Sequence, residues 1–499
     1  MIERSSGILL HITSLPGKYG IGDFGKEAFN FIDFLKQAKQ KYWQILPLGI
    51  TSYGDSPYQC FSAFAGNPYF IDLNYFIENG FLELSDLDSL KALNKEKVEY
   101  SKLYIEKYKV LKIAYNRFKQ IGNLNELKIY KNKNIDWIEN YTLFMAIKNY
   151  FNGISWIDWP LKYRIKDKST IKNAKIELQD DILYHLFLQY FFSKQWNKLK
   201  KYANENGIKI IGDIPIFIAT DSADTWENPK IFQFDKKNKP RRVAGCPPDI
   251  FSDDGQLWGN VLYNWKSLKK NNYNWWIRRV KNCFTLYDVV RIDHFRGFES
   301  YWSIPFKNKT AREGRWEKGP GIDFFYSVRS KLGNLNIIAE DLGFLTPEVH
   351  KLLKESGYPG MKILEFAFSS KEDSDYLPHK YKKNSVAYTG THDNQTIIGW
   401  YNTLNRDDRT FCNQYLTQYL KNNGSNSTEC INWNFIESLW ASNSNLVIVP
   451  LQDCLGLGDE ARMNTPSTLG GNWEWRVKIE DLTDELSKKI KELTIKYNR

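Results

Sequence analysis

The sequence predicts an α/β fold, a (β/α)8 TIM barrel with large insertions between its strands, spanning residues 1–499 as one unit. Three observations predict it. Eight short apolar runs recur along the chain, and stretches of helical periodicity separate several of them. The runs lack strict polar alternation, as parallel strands buried on both faces do. They also end in polar residues, and in such a barrel the functional groups sit at the carboxyl ends of the strands.

In chain order the runs are 7–11 (GILLH) and 42–46 (YWQIL), with a helical pattern over 26–40 between them, then 208–213 (IKIIGD) and 287–293 (YDVVRID). Next come 336–340 (NIIAE), 361–366 (MKILEF), 385–391 (SVAYTGT) and 445–453 (NLVIVPLQD). The spacing is uneven, and barrel loops are usually short, so the two long gaps read as insertions. Residues 75–195 place Leu, Ile, Phe and Tyr at helical spacing among Lys, Glu and Asn, which predicts a mainly helical insertion. Residues 221–285 are richer in Pro, Gly, Asp and Trp and read as an irregular insertion over the barrel mouth.

Composition narrows the classes. Hydrophobic residues are 42% and charged residues 25%, ordinary globular usage that excludes disordered and fibrous chains. No apolar run reaches the ~18 residues of a membrane helix, and the first residues lack a basic stretch followed by an apolar core. A soluble cytoplasmic protein is expected. Six widely spaced cysteines form no metal-ligand spacing and suit a thiol-rich compartment. The net charge of +11 comes from Lys residues mixed with Glu, Asp and Asn, so it reads as a solvated surface and not as a nucleic-acid footprint. The 17 Trp, 30 Tyr and 30 Phe make 15% aromatics, and flat amphipathic rings suit sugars.

The acids lie where the runs end. Arg291 and Asp293 share a strand face, because alternate strand residues point the same way. A guanidinium beside a carboxylate lowers its pKa and keeps it ionised, which suits a nucleophile; a structural ion pair is the competing reading. Glu340 closes the next run and Asp393 follows the one at 385–391. Paired carboxylates are what glycosidic bond chemistry requires, about 5 to 5.5 Å apart in retaining enzymes.

The segments RIDHFRGF, IIAEDLG and GTHDNQT resemble the catalytic segments of the 4-α-glucanotransferases (amylomaltase or disproportionating enzyme), a branch of the α-amylase clan. The resemblance covers nearly the whole chain, through GILLHITSLPGKYGIGDFG, SPYQCFSAFAGNPYFIDL, GDIPIFIATDSADTW, GCPPDIFSDDGQLWGNVLY, TAREGRWEKGPG and QDCLGLGDEARMNTPSTLGGNWEWR. It implies Asp293 as nucleophile, Glu340 as general acid/base, and Asp393 as the acid that grips donor hydroxyls and stabilises the transition state. It implies Arg291 and His392 at the donor site, Tyr58 as an aromatic platform beside the donor sugar, and Asp213 and His294, the latter following the nucleophile, among the substrate-binding residues. Asp249, Gln256 and Trp258 then belong to a loop over the acceptor side, and Asn464 and Pro466 to a second loop contacting the glucan. Three positions depart from the family pattern: Cys60, Cys246 and Ile250, the last where an aromatic is expected.

The implied reaction is a retaining exchange that moves segments of an α-1,4-glucan to the 4-hydroxyl of glucose or a maltodextrin. A hydrolase of amylase type would use the same acids with water, and a non-catalytic glucan-binding protein would use the same aromatics. No phosphate-binding Gly-rich loop is evident, and Asp253-Asp254-Gly255 lacks the ligand spacing of a calcium loop, so neither cofactor nor metal is expected.

Overall fold

Apolar runs too short for helices satisfy their backbone groups by pairing with one another, and here they do so around a closed ring. The computed structural model describes residues 2–52, 54–248 and 253–499. Its strands in chain order are β1 (Ser5–Leu9), β2 (Tyr42–Gln44), β3 (Lys209–Ile214), β4 (Arg242–Cys246), β5 (Gln256–Val261) and β6 (Val289–Ile292). They continue with β7 (Ser300–Pro305), β8 (Arg315–Lys318), β9 (Ile337–Ala339), β10 (Gly360–Ile363), β11 (Ser385–Tyr388) and β12 (Leu446–Pro450). Eight of them form one parallel sheet in the order β10-β11-β12-β1-β2-β3-β6-β9. The Ala339 amide donates to the Pro359 carbonyl at 2.9 Å, which brings β9 against β10 and closes the ring.

All eight strands overlap the apolar runs read from the sequence, with ends shifted by a few residues and most of them stopping short of the run's carboxyl end. Burial is nearly complete: every residue of β1, β6, β11 and β12 is buried. Close approach sets some identities. A Cβ at Gly212 would fall 2.1 Å from the Tyr287 ring, so only glycine lets β3 pass that side chain.

Parallel alignment puts all carboxyl ends on one rim. Register then decides which side chains meet there: Asp213 pairs with Arg291 across β3 and β6, and Ile292 pairs with Ala339 across β6 and β9. Asp293 and Glu340, each one residue further along, therefore stand at the same level on adjacent strands.

The remaining strands form a four-stranded antiparallel sheet, β5-β4-β7-β8. Residues 221–285 thus hold two of its strands, with a helix Asn274–Leu286 leading back to β6. Its other two strands come from beyond that segment, so no local alternation advertises the pairing.

Between β2 and β3 the chain is largely helical, with the long helices Tyr100–Ile121, Ile135–Tyr150 and Gln179–Glu205. Phe76, Phe118, Phe187 and Phe191 pack ring to ring at their centre, with centroids 4.8 to 5.6 Å apart. Gln189 fastens these helices to the β2 side of the barrel: it accepts from the Gly66 amide and donates to the Gly66 carbonyl, both at 2.8 Å. Among the described residues no helix is long and apolar enough to cross a membrane.

Candidate active site

The rim above β3 and β6 is organised by one buried arginine. Arg291 donates to Asp213 Oδ2 through Nε at 2.9 Å and Nη2 at 2.5 Å, and Nη2 also reaches Asp293 Oδ1 at 2.9 Å. Burial by itself would lower the guanidinium's pKa, but the charges of Asp213, Tyr58 and Asp293 hold it well above its ordinary value. Asp213 is buried beneath this network; its Oδ2 also accepts the Tyr58 hydroxyl at 2.6 Å, and its Oδ1 has no hydrogen-bond partner in the protein.

The sequence reading expected Arg291 to hold Asp293 below the ordinary carboxylate range. The structure corrects this. Burial outweighs the guanidinium and, with the charges of Asp213 and Asp393, pushes Asp293 up to about 7. Glu340 shifts the same way: burial and then the charge of Asp293 raise it well above its ordinary value, against two backbone donors. Those donors are the amides of His294, 2.5 Å from Oε2, and Leu342, 3.0 Å from Oε1. His294 adopts a left-handed backbone (φ 51°), a sparsely populated conformation for a residue other than glycine, and thereby aims its amide at the neighbouring strand. Arg291 bonds Asp293 and favours its ionised form, while the neighbouring charge of Asp293 favours the protonated form of Glu340.

The third acid stands across the mouth. Asp393 Oδ1 accepts from Asn464 Nδ2 at 2.6 Å and lies 3.4 Å from His392 Nε2. Its carbonyl accepts from Arg462, which also binds the Asn464 carbonyl at 2.9 Å, so the 464 segment is tied to the end of β11. Tyr58 bridges the space between the acids: its hydroxyl bonds Asp213 and accepts from Arg291 Nη2, which also holds Asp293, and its ring lies on His392, next to Asp393 in the chain.

Rings line that space. Tyr58 stacks on His392 with centroids 5.0 Å apart, and Trp473 closes on both. Trp258 meets the His294 ring edge-on at 4.9 Å, and its indole donates to Gln256 at 3.0 Å. Burial lowers His294 to about 3 and lowers His392 as well, so both rings are neutral near pH 7.

Comparison with known proteins decides the family. The sequence profile described as 4-alpha-glucanotransferase matches residues 10–483. The chain belongs to the 4-alpha-glucanotransferase family. It is 50% identical to the 4-alpha-glucanotransferase of Clostridium butyricum over 492 residues, covering 98% of this chain and 100% of the relative. It is 48% identical to that of Streptococcus pneumoniae over 501 residues, covering 100% of this chain and 98% of the relative. Among solved structures, the amylomaltase of Streptococcus agalactiae in complex with acarbose superposes with a TM-score of 0.96 at 41% identity, over the whole of both chains. This 4-alpha-glucanotransferase is an enzyme that moves α-1,4-glucan segments.

In this 4-alpha-glucanotransferase, Pro466 lies in a turn closed by the Thr468 amide on the Thr465 carbonyl, two residues after Asn464. Asp249 and Ile250 lie outside the described residues. At the departure Cys60, the thiol donates to the Pro57 carbonyl at 3.0 Å, and burial raises its pKa to about 12. It thus remains a neutral donor beneath Tyr58, as a hydroxyl would be. Three lining residues escaped the sequence reading. His11, at the end of β1, accepts the Leu46 amide and is lowered by burial to about 3; its strand-end position was the available signal. Trp473 and Arg462 lie inside the segment QDCLGLGDEARMNTPSTLGGNWEWR, but nothing local singles them out.

Proposed function

We propose that this enzyme works by double displacement, with Asp293 as nucleophile and Glu340 as general acid/base. Glu340 protonates the oxygen of an α-1,4 bond while Asp293 attacks the anomeric carbon, which breaks the bond, releases the reducing-side piece and leaves a glucosyl-enzyme. Glu340, now a base, takes the proton of an acceptor 4-hydroxyl, which displaces Asp293 and restores the α configuration. The observation that carries this assignment is the pair on adjacent strand ends, one acid bonded to Arg291 and the other raised by burial and by its neighbour's charge.

Asp393, oriented by Asn464, is placed to bind donor hydroxyls, and Tyr58, Arg291, His294 and His392 to shape the donor site. Asp213 acts through Arg291 and Tyr58, since it is buried beneath them. Gln256 and Trp258 stand on the acceptor side, Asp249 is assigned there by sequence, and Asn464 and Pro466 belong to a second loop that contacts the glucan chain. Glucose and maltodextrins are the acceptors, and the cytoplasm is the compartment, consistent with the thiols of Cys60, Cys283, Cys412, Cys430 and Cys454 forming no disulfide.

Incubation of the pure protein with maltotriose tests the reading. Glucose plus a ladder of longer maltodextrins is the expected product set; maltose and glucose alone would assign a hydrolase.

A further inference from the structure

Outside the residues above, the described surface carries one group of rings whose connections all lead back to the catalytic rim. Arg296, three residues past the proposed nucleophile, is 4% exposed. Its guanidinium lies 3.9 Å over the centroid of the Trp316 ring, donates to the Phe344 carbonyl at 2.7 Å and donates to Ser300 Oγ at 3.1 Å. One buried cation thus fixes a tryptophan of the edge strand β8 beside the loop that follows Glu340.

Both apolar rings remain open. Trp316 is 41% exposed and Phe344 is 71% exposed. Trp302 braces Trp316 from the side, with centroids 5.2 Å apart and planes at 67°, and its own indole donates to the Ala311 carbonyl at 2.9 Å. The Ala311 amide in turn donates to the Asp254 carbonyl at 2.9 Å, and Asp254 leads directly into β5 with Gln256 and Trp258. The exposed rings are therefore continuous with the acceptor-side strand on one flank and with the acid/base loop on the other.

The Trp316 ring, held by a buried guanidinium, is preorganised, and the same group grips the backbone that carries Phe344, so less ordering is needed on binding. Lys318, two residues on and so on the same strand face, adds a polar group beside the Trp316 ring. Flat face and polar rim match a run of pyranose rings with apolar faces and equatorial hydroxyls. From these contacts we infer that Trp316 and Phe344 form an outer acceptor subsite that holds the distal glucose units of a long α-glucan acceptor. Glucose, occupying only the position next to Glu340, does not reach it. The subsite rests on the reading of Glu340 as the group that activates the acceptor.

The test uses maltotriose as donor with either labelled glucose or maltohexaose labelled at its reducing end as acceptor, and compares kcat/KM for label extension. In Trp316→Ala and in Phe344→Ala, the maltohexaose-to-glucose ratio should fall about tenfold against the unaltered enzyme, the scale of one lost ring contact. Should Trp316→Ala not fold, Trp316→Leu and the loop variant Phe344→Ala carry the same comparison. A ratio within about twofold of the unaltered enzyme overturns the subsite, as does an equal fall for both acceptors, which would mark the rings as structural. Failure of the unaltered enzyme to extend either acceptor would instead refute the transferase reading itself.

Discussion

The backbone amide of His294 donates to Glu340 Oε2 at 2.5 Å, although the two residues are 46 positions apart in the chain. The bond exists because β6 and β9 are in register and His294 turns left-handed at once after Asp293. It orients the carboxyl without settling its charge: two amides favour ionisation, yet burial and the charge of Asp293 prevail. A rigidly held acid that keeps its proton is what the first step of the proposed exchange needs.

The pH profile should follow from this pair. kcat/KM should rise as Asp293 ionises, with an acid limb well above the ordinary carboxylate range, and fall as Glu340 loses its proton. Arg291→Lys removes a guanidinium that favours ionised Asp293, so the acid limb should move to higher pH. An acid limb at the unperturbed value near 4 would contradict the assignment.

Stability should respond in the opposite sense to activity. A carboxyl whose folded pKa is raised contributes stability that is complete below its unfolded pKa, near 4, and lost as pH rises through about 7. At pH 8 the unaltered protein therefore carries the cost of a buried charge. Asp293→Asn keeps an acceptor for Arg291 without that charge, so its Tm should exceed that of the unaltered protein by about 1–3 °C at pH 8, with the gap shrinking toward pH 5. Calorimetry at the two pH values checks it; a variant less stable at pH 8 would count against the burial argument.

Asn464 holds Asp393 by a single charge-assisted hydrogen bond of 2.6 Å. Asn464→Ala should lower kcat/KM for maltotriose disproportionation by about 10- to 100-fold, and Asn464→Asp should lower it further by setting a like charge against Asp393. Steady-state kinetics with circular dichroism as a fold check reads both.

Tyr58 contributes through its hydroxyl and through its ring. Tyr58→Phe removes the bonds to Asp213 and Arg291 but keeps the stack on His392, whereas Tyr58→Ala removes all three contacts. The Phe variant should lose about tenfold in kcat/KM and the Ala variant distinctly more. Equal losses would show that the ring carries nothing.

The barrel was legible because its strands are continuous apolar runs ending in polar groups, a pattern that survives without any long-range information. The strand-end positions of Asp293, Glu340 and Asp393 were legible for the same reason, since Asp293 and Glu340 close their runs and Asp393 follows its own. The four-stranded sheet was not, since β4 and β5 must find β7 and β8 across the whole of β6, and β8 (RWEK) has no apolar alternation to announce it. The ion pair of Arg291 with Asp213 was hidden likewise, because only the register of β3 on β6 brings them together. The direction of the Asp293 shift was misread because sequence displays the neighbouring arginine but not the depth of burial, which is the larger influence.

Trapping the covalent intermediate tests the central claim most directly. In Glu340→Gln, α-glucosyl fluoride has a leaving group that needs no acid, so attack by Asp293 proceeds, whereas the second step lacks its base and stalls. Intact-mass and peptide analysis should find one added glucosyl group, on Asp293. A glucosyl group on any other residue, or none on a correctly folded variant, would contradict the account.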